Sequence, residues 1–117
     1  MAGFTTAFSR TTLDAAIVNG DKIQWSENGS SESAHVAATA VAGWDASTDA
    51  DPTIRDNTSA LESAECDADS ITITHFCIVD TTETTQKTDW TALTAPRTLD
   101  TGDTLTVAAG AIDVTLT

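Results

Sequence analysis

The chain has no tyrosine, two histidines, two cysteines and only five lysines and arginines in 117 residues. Each scarcity removes a class of function. Eighteen acidic residues against five cations leave a formal charge of -13, which repels phosphate backbones and anionic membrane surfaces. Neither a nucleic-acid partner nor a membrane is expected. No apolar run approaches the roughly 20 residues that cross a bilayer, and the first residues lack the charged and apolar regions of a signal peptide. The expected origin is cytosolic, so Cys66 and Cys77 are expected to be free buried thiols and not a disulfide. Neither has a second cysteine or a histidine at finger-like spacing, which argues against a metal site.

The shortage of histidine also limits catalysis, because a nucleophile needs a base beside it. His75 falls on the apolar face of a strand, where a neutral imidazole bonded to a backbone group is the simpler role. His35 has no nucleophile motif around it. G-x-S-x-G, a phosphate-cradling glycine loop and H-E-x-x-H are all absent from the sequence. The acids cluster from Glu62 to Asp69 and from Asp45 to Asp51, as solvated loops do. Asp45, Asp49 and Asp51 offer the oxygen ligands that calcium takes, but the glycine and distal glutamate of an EF-hand are missing. The sequence therefore predicts no catalytic, cofactor-binding or metal-ligating residue, and no enzyme.

Apolar residues make up 40% of the chain and fall in patterned clusters, so it should fold, with residues 1–117 as a single domain. Residues 1–20 read as a helical segment: Phe4 and Phe8 are one turn apart, Leu13 and Ile17 repeat the spacing, and Asn19-Gly20 supplies a left-handed stop. Thr5 and Thr6 are candidate N-caps. From residue 21 the period changes to two. Ile23 and Trp25 alternate with polar neighbours, and His35 to Ala42 reads as a strand of small residues. Asp45 to Asn57 reads as a loop, with at most a short edge strand near Pro52. The strongest element is Ile71 to Val79, whose second face turns from threonine to apolar, predicting cover on both sides. Asp80 to Gln86 is a polar hairpin region, with a return strand from Trp90 to Leu93, and Pro96 suits an edge or a bend. Leu105 to Val107 and Ile112 to Leu116 alternate about Ala109-Gly110, predicting a terminal hairpin. This pattern gives a mainly β fold of about seven or eight short strands after a short N-terminal helix. Such a set favours a β-sandwich, jelly-roll or immunoglobulin-like, over residues 21–117.

Trp25, Trp44 and Trp90 could fill the ends of the core or line a sugar-binding face. A carbohydrate-binding module would need at least two of them coplanar and exposed.

The second half carries a recognisable pattern: THFCIVD at residues 74–80, then W-x-A-L-T-x-P-R-T-L-D-T-G-D-T-L-T-V-A-A-G-A-I-D-V-T-L-T from Trp90 to the end. It resembles a family of small structural proteins of tailed bacteriophages, in which a THFxIxD strand precedes GALTxPKTVxxGDTLxFxAGxLxxTL. Leu13-Asp14-Ala15 also fits. The middle departs, with Ile23-Gln24-Trp25-Ser26 and Ser33-Ala34-His35 where relatives carry YVGLxTxDP and YAR. The resemblance implies a virion protein, assembled in the host cytoplasm, with no catalytic residues to carry over. A capsid decoration (cement) protein is the first expectation, because the chain lacks a coiled-coil or repeat shaft. Its partner would be the major capsid protein, bound by a homo-oligomer such as a trimer. A minor tail or tail-fibre appendage, with tail proteins as partners, is the alternative. Phe4, Phe8 and Arg10 are the candidate partner-binding residues.

Overall fold

The computed structural model describes residues 5–49 and 53–116. Among them are one helix, α1 (Thr6–Ala16), and eight strands: β1 (Lys22–Ser26), β2 (Thr39–Ala40), β3 (Thr53–Asp56), β4 (Leu61–Glu62), β5 (Ile71–Val79), β6 (Thr91–Leu99), β7 (Thr106–Val107) and β8 (Asp113–Leu116). They form a four-stranded sheet of order β2-β1-β5-β6 and two ladders, β3-β8 and β4-β7. The fold is mainly β with a short N-terminal helix, as the sequence predicts. The chain divides into two compact units. One comprises Met1–Asn19, Val41–Leu61 and Val107–Thr117, and the other Gly20–Ala40 and Glu62–Thr106.

In the first unit, Thr5 caps α1 by accepting the Phe8 N–H at 3.2 Å. The helix ends at Ala16, short of the predicted Asn19-Gly20 stop, because Ile17 takes an extended backbone at φ -107 and ψ 112. The following β-branched pair, Ile17-Val18, favours that conformation. Ser9 and Leu13 are the buried helical residues, and Ile17 continues their spacing at 2% exposure. Phe8 lies about 140° around the helix from Leu13 and cannot share that stripe. Asp14 accepts from Arg55 Nη1 at 2.7 Å and from the Ser47 N–H at 3.1 Å, tying the helix to β3 and its approach loop. Burial pulls the Asp14 pKa up, but the hydrogen bonds from Ser47 and Arg55 outweigh it and hold the carboxyl below its ordinary value.

β3 and β8 pair antiparallel from Thr53 opposite Leu116 to Asp56 opposite Asp113. The predicted terminal hairpin is therefore not made, since β8 pairs with β3 and β7 with β4. Alternation identifies the buried face of a strand but not its partner. The Ala109-Gly110 turn does form, with Gly110 at φ 75. Asn57, fully buried, holds it: Nδ2 donates to the Ser59 carbonyl at 2.9 Å and to Ala108 at 3.1 Å, while Oδ1 accepts the Ile112 N–H at 2.9 Å.

In the second unit, β5 is the centre of its sheet. Ile71, Ile73, Cys77 and Val79 are buried on one face, and Ile78 is buried on the other beside Ile23 and Trp25 of β1. That covers the second half of β5 on both sides, as its composition predicts. Asp80 organises the turn that follows, accepting the N–H groups of Thr84 at 2.8 Å and Thr85 at 3.2 Å. Those bonds, with the Thr84 and Thr82 hydroxyls, hold its pKa down at about 2. The predicted strand over His35 to Ala42 shrinks to Thr39–Ala40, because Ser33 Oγ accepts the His35 N–H at 3.1 Å and bends the chain. β6 is the edge strand, and its register with β5 breaks between Arg97 and Ala92. Pro96 sits in the break, where it has no N–H to offer a ladder.

Candidate functional site

Neither histidine bonds both a hydroxyl or thiol and an acid among the described residues. His35 Nδ1 meets Asp67 Oδ1 at 2.7 Å on an exposed surface, and among the described residues no serine, threonine or cysteine bonds its ring. His75 Nδ1 meets Thr74 Oγ1 at 2.7 Å, a side-chain hydroxyl and not the predicted backbone group. Its ring packs against Gly29, where an added Cβ would come within 3.0 Å of it. Gly29 also stands at φ 74, so the position is closed to other residues on two counts. Both cysteines are free and buried, and burial pushes the Cys77 thiol up to about 11.

Among the acids, Asp51 lies outside the described residues. Asp49 faces Arg10 at 3.9 Å, and the Asp45 N–H donates to the Asp56 carbonyl at 2.8 Å. No group of three or more histidine, cysteine or acidic side chains among the described residues is placed to hold a metal ion. A different acidic contact emerges, which only the β3-β8 register discloses: Asp56 and Asp113 are direct cross-strand partners. The hydrogen bond with Asp113 raises Asp56 most, followed by burial and by repulsion from Asp113 and Asp45, to about 6 from an ordinary 3.8. The folded chain thus holds this proton more tightly than the unfolded one. The associated stability is complete below about pH 4 and lost as pH rises through about 6. Unscreened, the displacement would be worth about 3 kcal/mol, and water around the exposed Asp113 reduces that to about 1–2. Asp56→Asn should therefore raise stability at pH 7 by about 1–2 kcal/mol and flatten the slope between about pH 4 and 6. Urea unfolding across that range measures it. An unchanged slope would remove the pair from the account.

The tryptophans answer the sugar-binding alternative. Trp25 is 2% exposed, Trp44 is 7% exposed and Trp90 is half-buried, so no exposed pair exists to stack on a sugar. Of the candidate partner-binding residues, Phe4 lies outside the described residues. Phe8 is 55% exposed on α1, and the Arg10 side chain is 41% exposed two residues on. Phe8 and Val18 are the exposed large hydrophobic residues of the described chain. No helix of the described chain is long and apolar enough to cross a membrane.

Comparison with known proteins supplies a direction that the described residues do not. The family model for Podophage GP4 fiber I protein gp80 matches residues 13–115. The chain belongs to this family. It is a phage structural protein and a virion component, not an enzyme. The resemblance seen in the second half of the sequence thus extends through the divergent middle to Leu13. For head against tail, the fiber family favours the tail-appendage alternative over the decoration expected first. No curated protein and no solved structure matches the fiber protein.

Proposed function

We propose that this fiber protein is a subunit of a tail appendage, bound to neighbouring tail or fiber proteins and present in few copies per particle. The match to a fiber family over nearly the whole chain is the observation that carries this reading. Docking is assigned to two exposed side chains of α1, Phe8 and Arg10, which stand about 200° apart around the helix, on a chain otherwise short of aromatic rings and cations. The protein works as a homo-oligomer, and residues 1–117 behave as one domain. Support for one domain comes from the path of the chain, which passes between the two compact units four times, so neither is a contiguous piece.

Counting copies in purified particles tests the location. A handful at one end supports the reading, and hundreds spread over the head would restore decoration with the major capsid protein as partner. Phe8→Ser with Arg10→Glu tests the surface. Phe8 is 55% exposed and the Arg10 side chain 41%, so stability should change little while particle incorporation falls about tenfold or more. Normal incorporation of this variant would move docking elsewhere.

A further inference from the structure

Of the five cations in the chain, four have an acidic partner. Arg10 faces Asp49 at 3.9 Å, Lys22 faces Glu83 at 3.4 Å, Arg55 faces Asp14 at 2.7 Å and Lys87 faces Asp21 at 2.8 Å. Arg97 has none among the described residues, although the chain carries eighteen acids. It stands exposed on β6, the open edge of the four-stranded sheet. The edge is long and bare: of its nine residues only Leu99 is buried and Leu93 half-buried. In the register break, no β5 residue is paired with Leu93, Thr94, Ala95 or Pro96. Exposed edges of this length are templates for another strand.

We propose that the β6 edge is a self-association surface, on which a second copy of this chain adds its own β6 antiparallel with Arg97 against the partner's Asp89. The inference rests on the homo-oligomer of the preceding reading and supplies its contact surface. Charge selects both the occupant and the register. Residues 90–99 contain no acid, so two β6 strands can meet without opposing carboxylates. Placing Leu93 opposite the partner's Leu93 puts Thr91 opposite Ala95 and Ala92 opposite Thr94. The same register brings Arg97 opposite Asp89 at both ends, and Asp89 is exposed and carries no ion pair among the described residues. Pro96 falls opposite the partner's Trp90, between the Ala95–Thr91 and Arg97–Asp89 pairs, and as an edge-strand residue it is tolerated there without an N–H to donate. Sliding by two residues one way sets Arg97 against Lys87, and the other way against Thr91, so a single register satisfies the charges. The two copies repel at long range, but screening over about 8 Å at physiological salt damps that repulsion far more than contact pairs.

A charge swap read by sedimentation velocity, from micromolar to millimolar protein at physiological salt, tests this. The wild-type chain should show a monomer–dimer equilibrium. Arg97→Glu and Asp89→Lys should each weaken the dimer by about tenfold, and the double variant should recover it. Asp89→Lys makes the chain less negative, so general repulsion alone predicts tighter association, the opposite sign. Unchanged circular dichroism and melting temperature confirm that each variant folds. If the wild type is monomeric throughout, self-association and this surface both fail, while a low copy number at the tail would leave the appendage role standing. If it associates but both single variants match it, or the double variant fails to recover, the β6 surface alone is overturned.

Discussion

Asn57→Ala should cost about 3–4 kcal/mol of folding stability, because it removes a fully buried side chain making three hydrogen bonds. The alanine leaves the carbonyls of Ser59 and Ala108 without their donor and the Ile112 N–H without its acceptor. Each orphaned buried group carries a desolvation penalty of about 1–3 kcal/mol, partly relieved by water entering the small gap. The expected fall in melting temperature is roughly 10–20 °C for a chain of this size. Asn57→Asp sharpens the test. At pH 7 its carboxylate still accepts from Ile112 but faces two carbonyl oxygens, so it should be at least as destabilising as alanine. Protonation restores one donor, and the variant should regain stability on acidification where Asn57→Ala does not. Thermal unfolding at pH 7 and pH 4 separates the two. An Asn57→Asp loss that stays the same at both pH values would mean that the site does not depend on its hydrogen bonds.

Trp25→Ala should be as severe, at about 3–5 kcal/mol. Trp25 is 2% exposed in β1, opposite Phe76 of β5 and on the same face as Ile23 and Ile78. Its indole N–H reaches Thr39 Oγ1 at 3.4 Å, a long contact that contributes little beside the loss of the ring. Trp25→Phe keeps an aromatic ring and drops the N–H, so it should cost only about 1–2 kcal/mol. Since single domains are stable by about 5–15 kcal/mol in total, the alanine variant would be marginal at 37 °C. Urea unfolding followed by far-ultraviolet circular dichroism checks both variants. Near-equal costs would show that the hydrogen bond to Thr39, and not the packing, is what β1 depends on.

These two residues also mark what was legible in the sequence. Trp25 could be read directly, since strict alternation with Ile23 and a large apolar side chain declare a buried strand face. The same logic found β5 and its two covered sides. Asn57 was not readable, because nothing local distinguishes a buried asparagine from the loop asparagine its neighbours suggest. Its partners are spread from Ser59 to Ile112. The terminal hairpin failed for a related reason: Leu105 to Val107 and Ile112 to Leu116 alternate cleanly, but alternation names a buried face and not the partner strand, and β4 and β3 lie far away in the sequence. The cross-strand meeting of Asp56 and Asp113 depends on that same long-range register. Arg97 is visible in the sequence as one cation of five. That no described acid pairs with it is a property of space alone.

Cys66 and Cys77 are 2% and 0% exposed, and the Cys77 thiol stays protonated well above neutral pH. The native chain is therefore already a silent background for maleimide chemistry. A single cysteine introduced at an exposed site such as Ala60 would be the one group to react, so a fluorophore or gold cluster could be attached stoichiometrically without first mutating the natural pair. Particles carrying such a label would show by microscopy where on the virion the subunit resides.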